Sequence, residues 1–193
     1  SNSLTLSTGN NVNNSDITAS GNISGVTTLT LADVGGTATL SGDVDVTTLT
    51  VGNTVANVAF TGNGSSVASS FTPNNDGTFI FGASGGTQTY NGGLNTASVD
   101  GTVTLNGTIT SSDDNITFGA VTLGSATSID ANATTNGNRA DITVAAITGG
   151  SNTLTLTTEN NIANADITVS GAISGVTTLT LASVGGTATF GAN

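Results

Sequence analysis

Residues 24–39 read SGVTTLTLADVGGTAT and residues 174–189 read SGVTTLTLASVGGTAT, with Asp33 against Ser183 the single difference in sixteen positions. Apolar and hydroxyl side chains alternate through VTTLTLA, so a strand there turns Leu29 and Leu31 to one side and Thr28 and Thr30 to the other. Gly35-Gly36 and Gly185-Gly186 predict the corner that follows, because glycine takes turn conformations without a side-chain clash. Asp33 falls just after the strand and is expected to face water. The stretch has no cysteine, histidine, lysine or aromatic ring. Its recurrence points to a building unit rather than a reactive site.

The recurrence is part of a longer one. Residues 1–40 align with 151–190 at an offset of 150, with 30 identities and no gap. Residues 1–150 are read as one full long repeat and 151–193 as the start of the next, equivalent to 1–43, which predicts a piece of a longer array. A shorter rhythm lies inside it: VTTLTL at 26–31 returns as VTTLTV at 46–51. Other strand-like pieces include SLTLS (3–7), DITAS (16–20), VANVAF (55–60), NITF (115–118) and DITVAAI (141–147), separated by Gly, Asn, Ser and Asp. The same alternation places Leu49, Val51, Leu154, Leu156, Leu179 and Leu181 inside. No sustained i, i+3, i+4 apolar pattern occurs, so essentially no helix is expected.

The fold class predicted is all-β: a β-solenoid of parallel strands with coils of about 20 residues. The alternative is a set of tandem β-sandwich domains, which also use many short strands. The near-20-residue rhythm and the paired Gly and Asn at candidate corners (Asn10-Asn11 and Asn160-Asn161 among them) favour the solenoid. So does composition: six Phe, one Tyr and no Trp cannot fill a wide sandwich core, whereas 39 Thr and 23 Asn suit ladders of like residues. Abundant β-branched residues in alternation argue against a disordered chain. Nine or ten such coils would make a rod of about 45 Å.

Twelve acidic residues stand against one base, Arg139, for a formal net charge of −11. That balance argues against nucleic acid and anionic membranes as partners, since both reward Lys and Arg. No apolar run approaches a bilayer span, so no membrane insertion is expected. Residue 1 is Ser and no signal peptide is visible, as expected of a mature protein or an excised fragment. Cys, His and Lys are all absent, which removes disulfides, thiolate and zinc sites, nucleophilic triads and Schiff bases.

Carboxylates remain. Asp113-Asp114 in SSDDN could form half of a glycosidase pair, but neighbours on a strand point to opposite faces and SSDDN reads as a turn. No enzyme activity and no cofactor are expected, with calcium held open at Asp43 and Asp45 (SGDVDV) and at Asp113 and Asp114, although neither a GGxGxDxUx nonapeptide nor a DxDxDG loop is present. Ten Thr-x-Thr pairs and six N-x-S/T sequons are close to the roughly eight and seven that this composition yields by chance, so neither marks a site. The segment 61–98 is less regular; residues 64–93 hold the only Pro, the only Tyr and three of the six Phe. It is either an irregular coil or a loop leaving the rod. Phe71 and Tyr90 are contact residues for a neighbouring subunit or a sugar if exposed, and core if buried, with burial favoured.

Runs such as GTVTLNGTITSSDDNITFGAVTLGS (101–125) and ADITVSGAISGVTTLTLASVGGTATF (165–190) resemble the passenger and repeat regions of large secreted bacterial exoproteins, of the filamentous-haemagglutinin and autotransporter-adhesin type. The resemblance implies a right-handed parallel β-helix, export to the cell surface and a role in adhesion or extracellular filaments. The expected function is a non-enzymatic structural repeat acting as a rigid rod. Its expected partners are further copies of the repeat, end to end or lateral, and surface glycans. The alternative is a carbohydrate-binding or polysaccharide-processing β-helix, with a groove lined by several of Asp113, Asp114, Asp130 and Tyr90.

Overall fold

A computed structural model describes residues 2–9, 13–132, 139–159 and 163–191. The chain is all-β with no helix among these residues, and its parallel strands stack as a β-solenoid of about eight turns, roughly 21 residues per coil. Every strand pairing is parallel, which a hairpin-connected sandwich does not allow. The rod is about 38 Å long at the usual strand spacing, shorter than the sequence rhythm predicts. The difference lies in coil length: Val103 meets Val121 after 18 residues, whereas Thr127 meets Leu154 only after 27.

Three inward ladders run along the rod. The first is Ile17, Ala38, Val58, Phe79, Val103, Val121, Ile147 and Ile173, each paired with the next. The second opens with Ile23 on Val44 and Val26 on Val46 and runs through Val67 to Tyr90; there it steps two residues along the strand to Gln88, which pairs with Ile109, and continues through Ile129, Leu156 and Leu181. The third begins Leu4, Leu29, Leu49, passes through Phe71, and continues Leu94, Ile116, Ile142, Ile167 and Ala188. The chain visits the three in turn. Strand Ile116–Asp130 supplies all three without a break.

These ladders exist because apolar side chains alternate with Thr, Ser and Asn along each strand. Strand Val34–Leu40 buries alternate residues, and Leu29 and Leu31 are likewise enclosed between coils. Outward positions also match like with like, as in Thr117, Thr143, Thr168 and Thr189. Segment 61–98 belongs to the solenoid: strands Ser66–Val67, Phe79–Phe81, Thr87–Tyr90 and Leu94–Asn95 continue the ladders, so it is an irregular coil. Its rings fill the interior, with Phe79 and Phe81 stacked at 4.1 Å between centroids and Phe71 and Tyr90 at 5.7 Å.

The corner after Leu31 differs from the predicted one. Gly35 and Gly36 lie within strand Val34–Leu40, at an irregularity in its register with Val55–Phe60. Gly36 is needed there because a Cβ would collide with the carboxylate of Asp16 on the coil before. The turn itself is made at Asp33, whose φ of 51° is left-handed, and Ser183 takes the same conformation at 47°. Other left-handed positions also recur at the 150-residue offset: Asn14 and Asn164, Gly25 and Gly175, and Gly9 and Glu159. The corners proposed at Asn10-Asn11 and Asn160-Asn161 lie outside the described residues.

Leu179 and Leu181 correct the alternation argument. They occupy the inward side, as their pairing with Leu154 and Leu156 requires, yet remain 38% and 43% exposed because no strand among the described residues pairs on their far side.

Candidate functional site

The same three-residue logic recurs seven times, an Asx residue, an inward Ile or Val, then an outward residue: six times it opens a strand, and at Asn57 it lies inside strand Val55–Phe60. In each, the Asx Oδ1 accepts a hydrogen bond from a backbone N–H of the next coil. Asp16 accepts from Thr37 at 2.7 Å and Asn57 from Thr78 at 2.9 Å. Asn22 accepts from Asp43, and Asp43 in turn from Gly64. Asn115, Asp141 and Asp166 form the longest run, accepting from Asp141, Asp166 and Thr187 at 2.8, 2.8 and 2.7 Å. The corner amide would otherwise lack a strand partner, and the short Asx side chain reaches it across one coil spacing. Part of the acidic composition therefore acts as coil-to-coil fastening. The recurring signal [DN]-[IV]-x was present in DITAS, NITF and DITV.

A surface groove of about 560 Å³ crosses the third ladder and is lined by Thr72, Asn95, Asp113, Asp114, Asn115 and Arg139, among others. Asp113 sits in a bend with a φ of 64° and is largely buried, while Asp114 is partly exposed. The Ser111 hydroxyl lies within hydrogen-bond distance of Asp114 O (2.6 Å) and Ala131 O (2.9 Å), tying this bend to the coil beyond. Arg139 is ion-paired with Asp141 at 2.9 Å. The groove is polar: it can exchange hydrogen bonds with hydroxyl groups, but no aromatic ring is available for stacking on a sugar face.

The other candidates are dispersed. Tyr90 and Phe71 are fully buried, so neither offers a contact to a subunit or a sugar; they are core. The Tyr90 hydroxyl donates to Gln88 Oε1 at 3.0 Å, and Gln88 Nε2 donates to the Phe60 carbonyl at 2.8 Å. Burial pushes the Tyr90 hydroxyl well above its ordinary pKa. Asp130, at the end of its strand, does not line the groove. Its pKa is raised by burial, with repulsion from Glu159 adding to the rise and the Asn132 N–H opposing it. Asp43 is taken up by its corner bond to Gly64, while Asp45 stands exposed in a second shallow groove with Thr27, Thr47 and Ser66. Among the described residues, no three His, Cys, Asp or Glu side chains come together where they could hold a metal ion.

Alternation along the strands does not reveal the open coil at the carboxy-terminal end of the described residues. Leu179, Leu181 and Phe190 are the large apolar side chains left exposed among the described residues. No helix among these residues is long and apolar enough to cross a membrane. No protein-family model, curated protein or solved structure matches this chain, so a functional reading rests on its own geometry.

Proposed function

We propose that this chain is a non-enzymatic structural repeat of an extracellular surface adhesin or filament, working as a rigid rod. The observation that carries this reading is that both copies of the 40-residue unit enter one continuous solenoid with the same local register. Leu4 stacks on Leu29 as Leu154 stacks on Leu179, and Ile17 on Ala38 as Ile167 on Ala188. A unit whose only recurrent feature is its way of stacking is suited to building length. The absence of Cys, His and Lys, and the resemblance to secreted exoprotein repeats, support the same role. Its partners are then further copies of the repeat and glycans of a target surface. Electron micrographs of the native material should show rods or fibres; compact particles would remove the reading.

The groove at Asp113, Asp114 and Arg139 favours a second reading, a polysaccharide-binding or polysaccharide-processing β-helix. Glycan-array binding or hydrolysis of acidic polysaccharides that is lost in Asp113→Asn or Asp114→Asn would establish it. Silence in both assays would discard it.

A further inference from the structure

The sequence repeat and the solenoid turn are out of step. Starting from Ile17, six steps along the first ladder lead through Ala38, Val58, Phe79, Val103 and Val121 to Ile147, and a seventh to Ile173. The counterpart of Ile173 at the 150-residue offset is Ile23, not Ile17. The counterpart of Ile17 is Ile167, and it lies on the third ladder above Ile142. The other ladders shift in the same sense. The second starts at Ile23 and ends at Leu181, the counterpart of Leu31, while the third starts at Leu4 and reaches Ile167, the counterpart of Ile17. One 150-residue period therefore takes six full turns and two of the three sides of the next.

The open coil shows what should follow it. Leu179, Leu181 and Phe190 correspond to Leu29, Leu31 and Leu40, each no more than 1% exposed. Those three are covered by Leu49, Val51 and Phe60 of the succeeding coil. Both copies have the same local register and the same left-handed corners, so the open end has the shape that residues 44–60 already cover within this chain.

We propose that the coil of residues 173–191 is the docking surface for the coil of a further copy of the repeat that corresponds to residues 44–60, and that successive copies are each turned by about a third of a turn. This rests on the structural-rod reading and extends it. A surface carried once per repeat, such as the groove at Asp113 and Asp114, would appear on all three sides of the rod in rotation. Copies would follow every 32 Å or so along the axis, and the same side would return only after about 96 Å, or twenty coils. Such a rod could engage a surface from any side, gaining avidity without a second binding motif.

The test lengthens the full chain in register, by adding residues 44–193 after Asn193 twice. Hydrogen exchange at Leu179, Leu181 and Phe190 is expected to slow at least 100-fold relative to the 193-residue chain, reaching the protection of Leu29, Leu31 and Leu40. Fibre diffraction or cryo-electron microscopy should give an axial spacing near 32 Å and a layer line near 96 Å. A rod whose true period is a single repeat, without the longer layer line, overturns the rotation and leaves the rod reading standing. Unchanged exchange at 179–190 in a straight rod overturns the docking surface alone. A lengthened chain that forms no rod overturns both.

Discussion

Leu29 and Leu179 hold the same place in two copies of one sequence and stack in the same way on the coil beneath, yet Leu29 is fully buried and Leu179 is 38% exposed. The difference comes from the coil above, because Leu49 covers Leu29 and no described residue pairs with Leu179 on that side. The next turn thus hides the 38% of this side chain that the chain's own coil and the one beneath leave open.

That asymmetry sets different costs for the same substitution. Leu29→Ala removes a side chain enclosed on both sides and should cost about 3 kcal/mol. Leu179→Ala should cost less, about 1–2 kcal/mol, since part of its side chain already meets water. Because a solenoid opens coil by coil, the measurement is native-state hydrogen exchange across 26–51 and 176–190 rather than a single melting midpoint. Equal losses at the two positions would contradict this account.

The corner at Asp33 and Ser183 gives a second test. Both residues are left-handed, at 51° and 47°, a conformation that Asp tolerates and Ser less so. Ser183→Asn and Ser183→Gly should stabilise the last coil by a few tenths of a kcal/mol up to about 1 kcal/mol. Asp33→Val should destabilise by about 1–2 kcal/mol, because a β-branched residue is strained at positive φ. Native-state hydrogen exchange across 26–51 and 176–190 in the three variants decides the matter; an Asp33→Val protein as stable as the parent would show that the corner relaxes.

What could be read from the sequence was what depends on period two. The inward placement of Leu29, Leu31, Leu49 and Leu154 follows from alternation alone, and parallel stacking follows from the repeat and the want of aromatics. The corners were harder to place. A glycine pair marks where the backbone is free to turn, but Gly36 was fixed by the neighbouring Asp16, a contact 20 residues away. The Asx fastening escaped for the same reason, as each bond joins residues 21–26 apart. Phe71 and Tyr90 stood out as rare residues, and rarity cannot distinguish a binding surface from the filling of a widened core. The exposure of Leu179 was also out of reach, since alternation gives the side a residue faces and not whether another coil covers it.

The Asx fastening predicts a specific contrast at Asp141, which accepts from the Asp166 N–H and also pairs with Arg139. Asp141→Asn keeps an Oδ1 acceptor and loses only a partly exposed ion pair, which should cost no more than about 1 kcal/mol. Asp141→Ala leaves the corner amide of Asp166 without its acceptor and should cost about 1–3 kcal/mol. The same ordering should appear at Asp166, whose partner is Thr187. Native-state hydrogen exchange across 141–190 checks it, and a reversed order would show that the charge, not the hydrogen bond, holds these coils together.

Asp130 makes the stability of the fold depend on pH. Burial first, and repulsion from Glu159 second, raise its pKa, outweighing the Asn132 N–H that lowers it. The folded chain therefore holds this proton more tightly than the unfolded chain does. The stability gained from protonating Asp130 is fully present below the ordinary carboxylate pKa of 3.8 and is lost as pH rises through the raised value. At neutral pH the ionised group weakens the fold, by less than about 1 kcal/mol because solvent still reaches it. Asp130→Asn should then be more stable than the parent at pH 7, with the gap closing in acid. Glu159→Gln should lower the Asp130 pKa, measured by the carboxyl carbon shift in an NMR titration. A constant stability gap between Asp130→Asn and the parent across the acid range would show that Asp130 binds its proton equally well in both states.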